Sequence, residues 1–100
     1  MLSIEEIKSY VIPVVTKYPV DKVILFGSYA RGDASDKSDI DLVVESGGKL
    51  RNSKIFTLGG DLLMALPVRV DVYDIHEIKE SSPLYESIRE DGIVIYETPT

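Results

Sequence analysis

The strongest structural signals of the sequence lie in residues 22–45, KVILFGSYARGDASDKSDIDLVVE. Its first part, residues 23–26, is a short unbroken apolar run rich in β-forming residues, which predicts a strand covered on both faces. Gly27 and Ser28 end that run and begin a short helical turn. After a polar loop, residues 40–45 form a second run of strand length. The stretch therefore predicts a strand, a turn, a loop and a second strand in succession.

Two carboxylates, Asp39 and Asp41, lie two positions apart where the second strand begins. Because successive side chains of an extended chain point to opposite faces, these two emerge on the same side. Two like charges so close together repel, and a cation between them relieves the repulsion. The pair therefore predicts a metal site at the start of the second strand.

A third carboxylate lies in residues 68–75, VRVDVYDI, which alternate between apolar and polar residues. This period predicts a strand with one covered face. Arg69, Asp71 and Tyr73 share one face of that strand, and a carboxylate is disfavoured in mid-strand. If this strand neighbours the second one, Asp71 can join the carboxylate pair.

The N-terminal segment predicts a helix. Ser3 and Glu6 form a capping box, and apolar residues at helical spacing extend the pattern over residues 4–18. Pro13 lies inside this pattern, where a proline removes a hydrogen bond and costs roughly 3 kcal/mol. We therefore expect either a kink near Ser9 or two helical pieces.

Two further helices and a last strand follow from local signals. Ser53 caps a helix that ends before Pro67, because the residue before proline disfavours the helical region. Its apolar residues are expected to face the sheet: Ile55, Phe56, Leu58, Leu62, Leu63 and Leu66. Ser82 caps a final helix with Pro83 at its first position, which runs to Asp91 and is terminated by Gly92. Residues 93–96 predict a short strand and residues 97–100 a frayed tail.

The loop at residues 45–53 has paired glycines and no periodicity, so we expect it to be the most flexible segment. Lys49, Arg51 and Lys54 bring three positive charges together there. A solvated loop is the favoured interpretation, and a phosphate contact is the alternative.

Composition limits the classes of function. One hundred residues, 44% hydrophobic and 28% charged, predict a single domain over residues 1–100. The chain has no cysteine, one histidine and no apolar run near the roughly 20 residues that span a bilayer, and its N-terminus lacks the pattern of a signal peptide. We therefore expect a cytoplasmic protein without a membrane segment. The net charge of -6, without a basic stripe, argues against long nucleic acid as a ligand.

The segment GSYARGDASDKSDIDL resembles the glycine-serine plus Asp-x-Asp signature of the nucleotidyltransferase superfamily that includes DNA polymerase beta. The short length and the VDVYD strand make the chain most similar to the minimal nucleotidyltransferase (MNT) family, over nearly its whole length. The most specific part is the joint occurrence of Gly27, Ser28, Gly32, Ser38, Asp39, Asp41 and Leu42. The resemblance implies an α/β (α+β) nucleotidyltransferase fold, with a small mixed sheet of about four strands and helices packed against it.

The resemblance also implies a reaction. A nucleoside monophosphate, expected to be AMP from ATP, is transferred to a hydroxyl with the help of two Mg²⁺ ions. Asp39, Asp41 and Asp71 are then the metal ligands and catalytic carboxylates, oxygen being the ligand that Mg²⁺ takes. The nucleotide contacts are assigned to Gly27, Ser28, Arg31 and Ser38, although Arg31 is equally well explained as an exposed helical arginine.

Members of the MNT family resemble one half of a two-protein system whose other half is a helical HEPN-domain protein, often a toxin. The resemblance therefore implies a HEPN-type partner with an acceptor hydroxyl, for which a tyrosine is expected, and an antitoxin role. The alternative is a non-catalytic antitoxin-like subunit that keeps the nucleotidyltransferase fold. The three carboxylates favour the enzyme, and a homo-oligomer is compatible with either.

Overall fold

A computed structural model describes residues 1–50 and 53–99. Within these residues a four-stranded sheet has the order β3-β2-β1-β4. Its strands are Lys22–Phe26 (β1), Ile40–Glu45 (β2), Val70–Asp74 (β3) and Ile93–Glu97 (β4). Strand β1 pairs antiparallel with β2 and β4, whereas β2 and β3 pair in parallel. The predicted small mixed sheet is confirmed, and so are the bounds predicted for β2.

Helices cover both faces of the sheet. They are Ile4–Val15 (α1), Ser28–Arg31 (α2), Ser53–Ala65 (α3) and Pro83–Asp91 (α4), and a 3-10 turn spans Ile75–Glu77. The larger core lies where α1 and α3 pack on the sheet, and it contains Ile7, Val11, Val23, Leu25, Leu42, Val44, Leu58 and Leu62. A smaller cluster of Phe26, Val43 and Ile88 lies under α4 on the opposite face. Among the described residues no helix has the length and apolar content needed to cross a bilayer.

Helix α1 begins as predicted and ends earlier than predicted. The capping box is formed, with Ser3 N–H donating to Glu6 Oε1 at 2.9 Å and Glu6 N–H donating to Ser3 Oγ at 3.1 Å. The helix continues through Pro13 as one piece to Val15, so the expectation of two pieces is wrong. The predicted extension to residue 18 is also wrong, because residues 16–18 form turns ahead of Pro19, whose ring disfavours a helical residue before it.

The turn that follows α1 is hydrogen-bonded to α3. The Tyr18 hydroxyl donates a hydrogen bond to the Asp61 carboxylate of α3, and this bond, with a smaller effect of burial, raises the pKa of Tyr18 to about 12. The bond joins the turn after α1 to α3, two segments that are far apart in sequence, and α1 and α3 are themselves in contact.

Helix α3 has a different outward face from the one predicted. Leu58, Leu62 and Leu66 are buried, but Phe56 is 80% exposed and Leu63 is 50% exposed. These two side chains were expected to face the sheet, and that expectation is wrong. The helix is apolar on more than one side, so periodicity alone does not identify the side that packs.

Two other predicted segments also differ from the structure, the strand over residues 68–75 and the C-terminal tail. The strand predicted over residues 68–75 is shorter, Val70–Asp74, because Asp74 caps the 3-10 turn and accepts the His76 N–H at 2.9 Å. The predicted frayed tail is wrong up to Thr98, since β4 includes Glu97 and Thr98 N–H donates to the Asp21 carbonyl at 2.9 Å. The Ser82 cap, α4 and the final strand are otherwise as predicted.

The charged loop lies at the end of the sheet opposite to Asp41. Lys49 Nζ is 3.6 Å from Asp21 Oδ1, and Asp21 N–H donates to the Glu45 carbonyl at the far end of β2. This pairing favours the solvated-loop interpretation for Lys49. Arg51, also part of that expectation, lies outside the described residues.

Candidate active site

The pairing of β2 with β3 brings the predicted carboxylates to one end of the sheet. The two strands are parallel and in register, with Asp41 opposite Asp71. Neighbouring strands lie about 4.8 Å apart, so Asp71 is close enough to Asp41 to share a site. Asp39 directly precedes β2, two residues from Asp41 on the same side. The expectation that these two strands are neighbours in the sheet is therefore confirmed.

Asp41 is the carboxylate at the centre of this group. Its neighbours in register are Phe26 on β1 and Asp71 on β3. Partial burial raises the pKa of the Asp41 carboxyl, and the charges of Asp71 and Asp39 raise it further, while Arg31 opposes the shift. Among the described residues its carboxylate has no hydrogen bond and no ion pair. The folded chain thus holds a carboxylate whose charge is poorly compensated.

Gly27 sits directly against Asp41. Its φ of 76° and ψ of −154° belong to a region that is open essentially only to glycine. A Cβ added at this position would collide with Oδ2 of Asp41 and lie 3.3 Å from its Cγ. Gly27 therefore lets the chain turn sharply between β1 and α2 and lets the Asp41 carboxylate pack directly against the backbone of this turn.

The two predicted serines have different surroundings. Ser28 is the first residue of α2, and its hydroxyl forms no hydrogen bond within residues 1–50 and 53–99. Ser38 Oγ instead accepts the Ser35 N–H at 2.8 Å, and Ser38 N–H donates to the Ser35 carbonyl at 3.0 Å. Ser38 thus closes the turn that leads into Asp39, whereas Ser28 has a hydroxyl free to meet a ligand.

Arg31 is held by other carboxylates. Its Nε lies 3.3 Å from Asp33 Oδ2, and a terminal guanidinium nitrogen lies 3.5 Å from Asp91 Oδ2 on α4. Hydrogen bonding to Asp33 and the charge of Asp33 raise the pKa of Arg31 above its usual value. Arg31 stays close enough to lower the pKa of Asp41, but its donors are directed elsewhere.

Two residues that were not predicted as site residues also belong to this end of the sheet. Arg69 Nε lies 3.9 Å from Asp39 Oδ2 and 3.6 Å from Asp71 Oδ1, so the guanidinium bridges the two carboxylates. Burial raises the pKa of Tyr73, and the charges of Asp71 and Asp41 raise it further. The alternation that placed Arg69, Asp71 and Tyr73 on one face was the signal that could have identified both.

The side chains at this end of the sheet have the ligand chemistry that a divalent cation needs, but they are not positioned to bind one. Three carboxylates offer the oxygen ligands that Mg²⁺ takes, and the Arg69 guanidinium already stands as a cation between two of them. As the side chains lie, however, no three acidic, histidine or cysteine groups of the described residues are arranged to hold a metal ion. The residues therefore fit Mg²⁺ provided that their side chains rearrange.

A cavity of about 550 Å³ begins one residue beyond Asp71 along the edge strand β3. It is lined by Val72 and Tyr73 of β3, by Phe56 of α3 and by Leu84 of α4. The three carboxylates are not part of its lining. The side chains of Asp39 and Asp71 are 43% and 34% exposed, so both are accessible to solvent at this end of the sheet.

Residues 5–100 match the family described as "Polymerase beta, Nucleotidyltransferase". One similar protein is "Putative protein adenylyltransferase MJ0435" of Methanocaldococcus jannaschii, which is 34% identical over 90 residues, or 87% of this chain and 97% of that protein. Both matches extend over most of the chain, including the strands that carry the three carboxylates.

Solved structures agree with this match. A toxin–antitoxin with AMP-PNP superposes with a TM-score of 0.78 at 26% identity, over 91% of this chain and 73% of that chain. A structure described as a "putative minimal nucleotidyltransferase" gives 0.73 at 27% identity, over 92% and 95%. An MNT antitoxin in complex with tri-AMPylated Shewanella oneidensis HEPN toxin shares the fold, with a TM-score of 0.73 at 23% identity over 95% and 73%. The chain therefore belongs to the Polymerase beta nucleotidyltransferase family, among its minimal nucleotidyltransferases.

Proposed function

We propose that this protein is a Mg²⁺-dependent nucleotidyltransferase that transfers AMP from ATP to a hydroxyl of a HEPN-type partner, most simply a tyrosine, and that it acts as the antitoxin of that partner. Residues 1–100 form one catalytic domain in this proposal, and the reaction takes place in the cytoplasm, where ATP is supplied. The observation that carries the proposal is the juxtaposition of Asp39, Asp41 and Asp71 by the parallel register of β2 and β3.

The reaction is an in-line displacement at the α-phosphorus of ATP. The acceptor oxygen forms a bond to that phosphorus, the bond to the bridging oxygen of the β-phosphate breaks, and pyrophosphate leaves. The hydroxyl proton goes to a carboxylate or to water. Asp71, on the edge strand beside the open end of the sheet, is the carboxylate best placed to receive it from an approaching acceptor.

Asp39, Asp41 and Asp71 would together hold two Mg²⁺ ions. When bound, the ions supply charge stabilisation to the attacking and leaving oxygens and let a protein of net charge -6 accept a triphosphate. Asp41 needs such a cation most, because its charge is poorly compensated in the folded chain.

Residues at the β1–α2 turn would bind the triphosphate. Gly27 has no side chain to shield the backbone of this turn from a phosphate, and the Ser28 hydroxyl has no competing partner among the described residues. Ser38 contributes by closing the turn that positions Asp39. Arg31 would reach a phosphate only by leaving Asp33 and Asp91, so we assign it an electrostatic effect on Asp41.

ATP and a HEPN partner are supported by the relatives. A structural neighbour was crystallised with AMP-PNP, an ATP analogue, and another was crystallised with an AMPylated HEPN toxin. The relative from M. jannaschii is named as a protein adenylyltransferase. The open position of the carboxylates agrees with an acceptor on a second protein, since a bound partner can orient its hydroxyl and orientation can lower a barrier by many kcal/mol.

The test is incubation of the protein with a purified HEPN partner, Mg²⁺ and each of the four nucleoside triphosphates, followed by intact mass measurement of both chains. We expect the partner to gain AMP and the isolated protein to turn over slowly. The double variant Asp39→Ala with Asp41→Ala should reduce transfer by about three orders of magnitude or more, because metal ions supply several kcal/mol of transition-state stabilisation. Glu45→Gln with Glu97→Gln, at the other end of the sheet, is the matched control and should retain activity.

The second candidate is a non-catalytic antitoxin-like subunit that binds its partner and neutralises it. The observation in its favour is the arrangement of the carboxylates, which hold Arg69 and no ready metal site among the described residues. The same experiment favours this candidate over the enzyme if the partner binds but neither chain gains mass with any triphosphate. The double aspartate variant should then still neutralise the partner.

A further inference from the structure

Arg69 occupies a fixed place at the start of the β2–β3 pair. Its carbonyl accepts the Ile40 N–H at 2.9 Å, which anchors the backbone directly before β3. From there the side chain extends over the sheet end and bridges Asp39 and Asp71 at 3.9 and 3.6 Å. The side chain is 71% exposed, so only its charged end is engaged.

The Arg69 bridge neutralises only part of the negative charge of the three aspartates. Arg69 pairs with Asp39 and Asp71, whereas Asp41 has no ion pair among the described residues. The other nearby guanidinium, that of Arg31, is held by Asp33 and Asp91. A single positive charge thus faces three negative charges in the metal-free protein.

A guanidinium and a divalent cation cannot occupy this place together. Both are positive, and the guanidinium has donors only, so it competes for carboxylate oxygens and cannot itself be a ligand. The bridge is also easily reversed, since exposed ion pairs contribute little stability and the long side chain is already largely in solvent.

We propose that Arg69 is a placeholder cation, which holds Asp39 and Asp71 while the site is free of metal and withdraws when a divalent cation binds. This inference rests on the proposed function, because it assumes that the three carboxylates bind the metal. It assigns Arg69 two effects of opposite sign: the residue stabilises the metal-free fold by reducing repulsion among the carboxylates, and it weakens metal binding by competition.

The opposite signs distinguish this role from two others. If Arg69 were only a structural residue, its removal would lower stability and would not tighten metal binding. If it were a phosphate ligand, its removal would weaken ATP binding and leave the affinity for metal alone unchanged. A placeholder instead predicts tighter metal binding in a less stable metal-free protein.

The experiment is a titration of the full chain with Mn²⁺ alone, followed by the loss of the free-ion EPR signal, together with melting curves in EDTA. The variants are Arg69→Gln, Arg69→Lys and, as matched control, Arg89→Gln, whose exposed guanidinium pairs with Glu86 at 3.4 Å on α4. We expect Arg69→Gln to bind Mn²⁺ about three- to tenfold more tightly than the wild type and to melt at a lower temperature in EDTA. Arg69→Lys should fall between them, and Arg89→Gln should bind Mn²⁺ like the wild type.

Unchanged or weaker Mn²⁺ binding by Arg69→Gln would overturn the placeholder role and leave the proposed function standing, provided that the wild type binds Mn²⁺. Absence of Mn²⁺ binding in every variant at millimolar concentration would overturn both. If Arg69→Gln does not fold, Arg69→Lys decides, and an affinity no tighter than that of the wild type rejects the proposal.

Discussion

The two ends of the sheet carry similar acidic side chains and balance them differently. At one end Lys22 of the inner strand β1 lies between Glu45 and Glu97 of its two neighbours, with Nζ 3.6 and 3.4 Å from their carboxylate oxygens. At the other end β1 contributes Phe26 and Gly27, which carry no charge, and the acids of β2 and β3 gather beside them. A lysine in register with two glutamates makes a structural ion cluster, whereas Asp41 and Asp71 have no cation in register with them.

The pKa shifts at the two ends express this difference. The charges of Glu45 and Glu97 raise the pKa of Lys22, so the fold favours its charged form. Burial and the neighbouring aspartates raise the pKa of Asp41, so the fold disfavours its charged form. A raised pKa therefore marks a stabilised charge at the Lys22 end, and at the Asp41 end it marks a charge destabilised first by burial and then by the neighbouring aspartates.

Ligand binding should affect only one end, and this is the largest effect that we expect on stability. Mg²⁺ with ATP at about 100 times the dissociation constant should add about 2.7 kcal/mol to the free energy of unfolding of the wild type. Asp41→Asn should lose most of that increment, and Glu45→Gln should keep it. The measurement is chemical unfolding with and without Mg²⁺ and ATP. An equal increment in Asp41→Asn would remove Asp41 from the metal site.

A Cβ at Gly27 should destabilise the Asp41 end of the sheet by straining the backbone of the turn. Gly27→Ala should lower the free energy of unfolding by roughly 1 to 3 kcal/mol, because its φ is positive and the new Cβ would collide with the Asp41 carboxylate. The matched control is Gly60→Ala in α3, where a Cβ meets open space and helix propensity predicts a gain of about 1 kcal/mol. Urea unfolding of both variants checks this pair, and a Gly27→Ala protein as stable as the wild type would contradict the conformation described for the turn.

The smallest effect is a pH dependence in the metal-free protein. The pKa of Asp41 is raised in the fold, so its ionisation costs stability at pH values well above the ordinary pKa of 3.8, and this cost disappears as the pH falls towards 3.8. Asp41→Asn should therefore melt at a higher temperature than the wild type in EDTA at pH 7, and the difference should shrink as the pH falls. Melting curves between pH 3.5 and 7.5 measure it.

Lys22→Met supplies the opposite case for that experiment. The pKa of Lys22 is raised above its ordinary value of 10.5, so its stabilising charge is present throughout neutral pH and is lost only as the pH rises through the shifted pKa. The variant should melt at a lower temperature than the wild type at every pH from 5 to 9. If Asp41→Asn and Lys22→Met shifted the melting temperature in the same direction at pH 7, the contrast between the two ends would fail.

Short sequence patterns were enough to predict the features that depend on neighbouring residues. The Ser3–Glu6 capping box, the bounds of β2 and the span of α4 between Ser82 and Gly92 were all readable from short patterns. These features depend on caps, glycine and alternation within a few residues, so local physical chemistry is sufficient to predict them. The aspartates were readable as candidates for the same reason.

Which of these local features come into contact depends instead on how the whole chain packs. The register that sets Asp41 beside Asp71, the contact of Gly27 with Asp41 and the bridge from Arg69 to Asp39 each join segments that are distant in the chain. The same holds for α3, where burial of Leu58 and exposure of Phe56 depend on where α1 and the sheet lie. Such contacts are selected by the packing of the whole chain, because a side chain has no buried face until another element covers it.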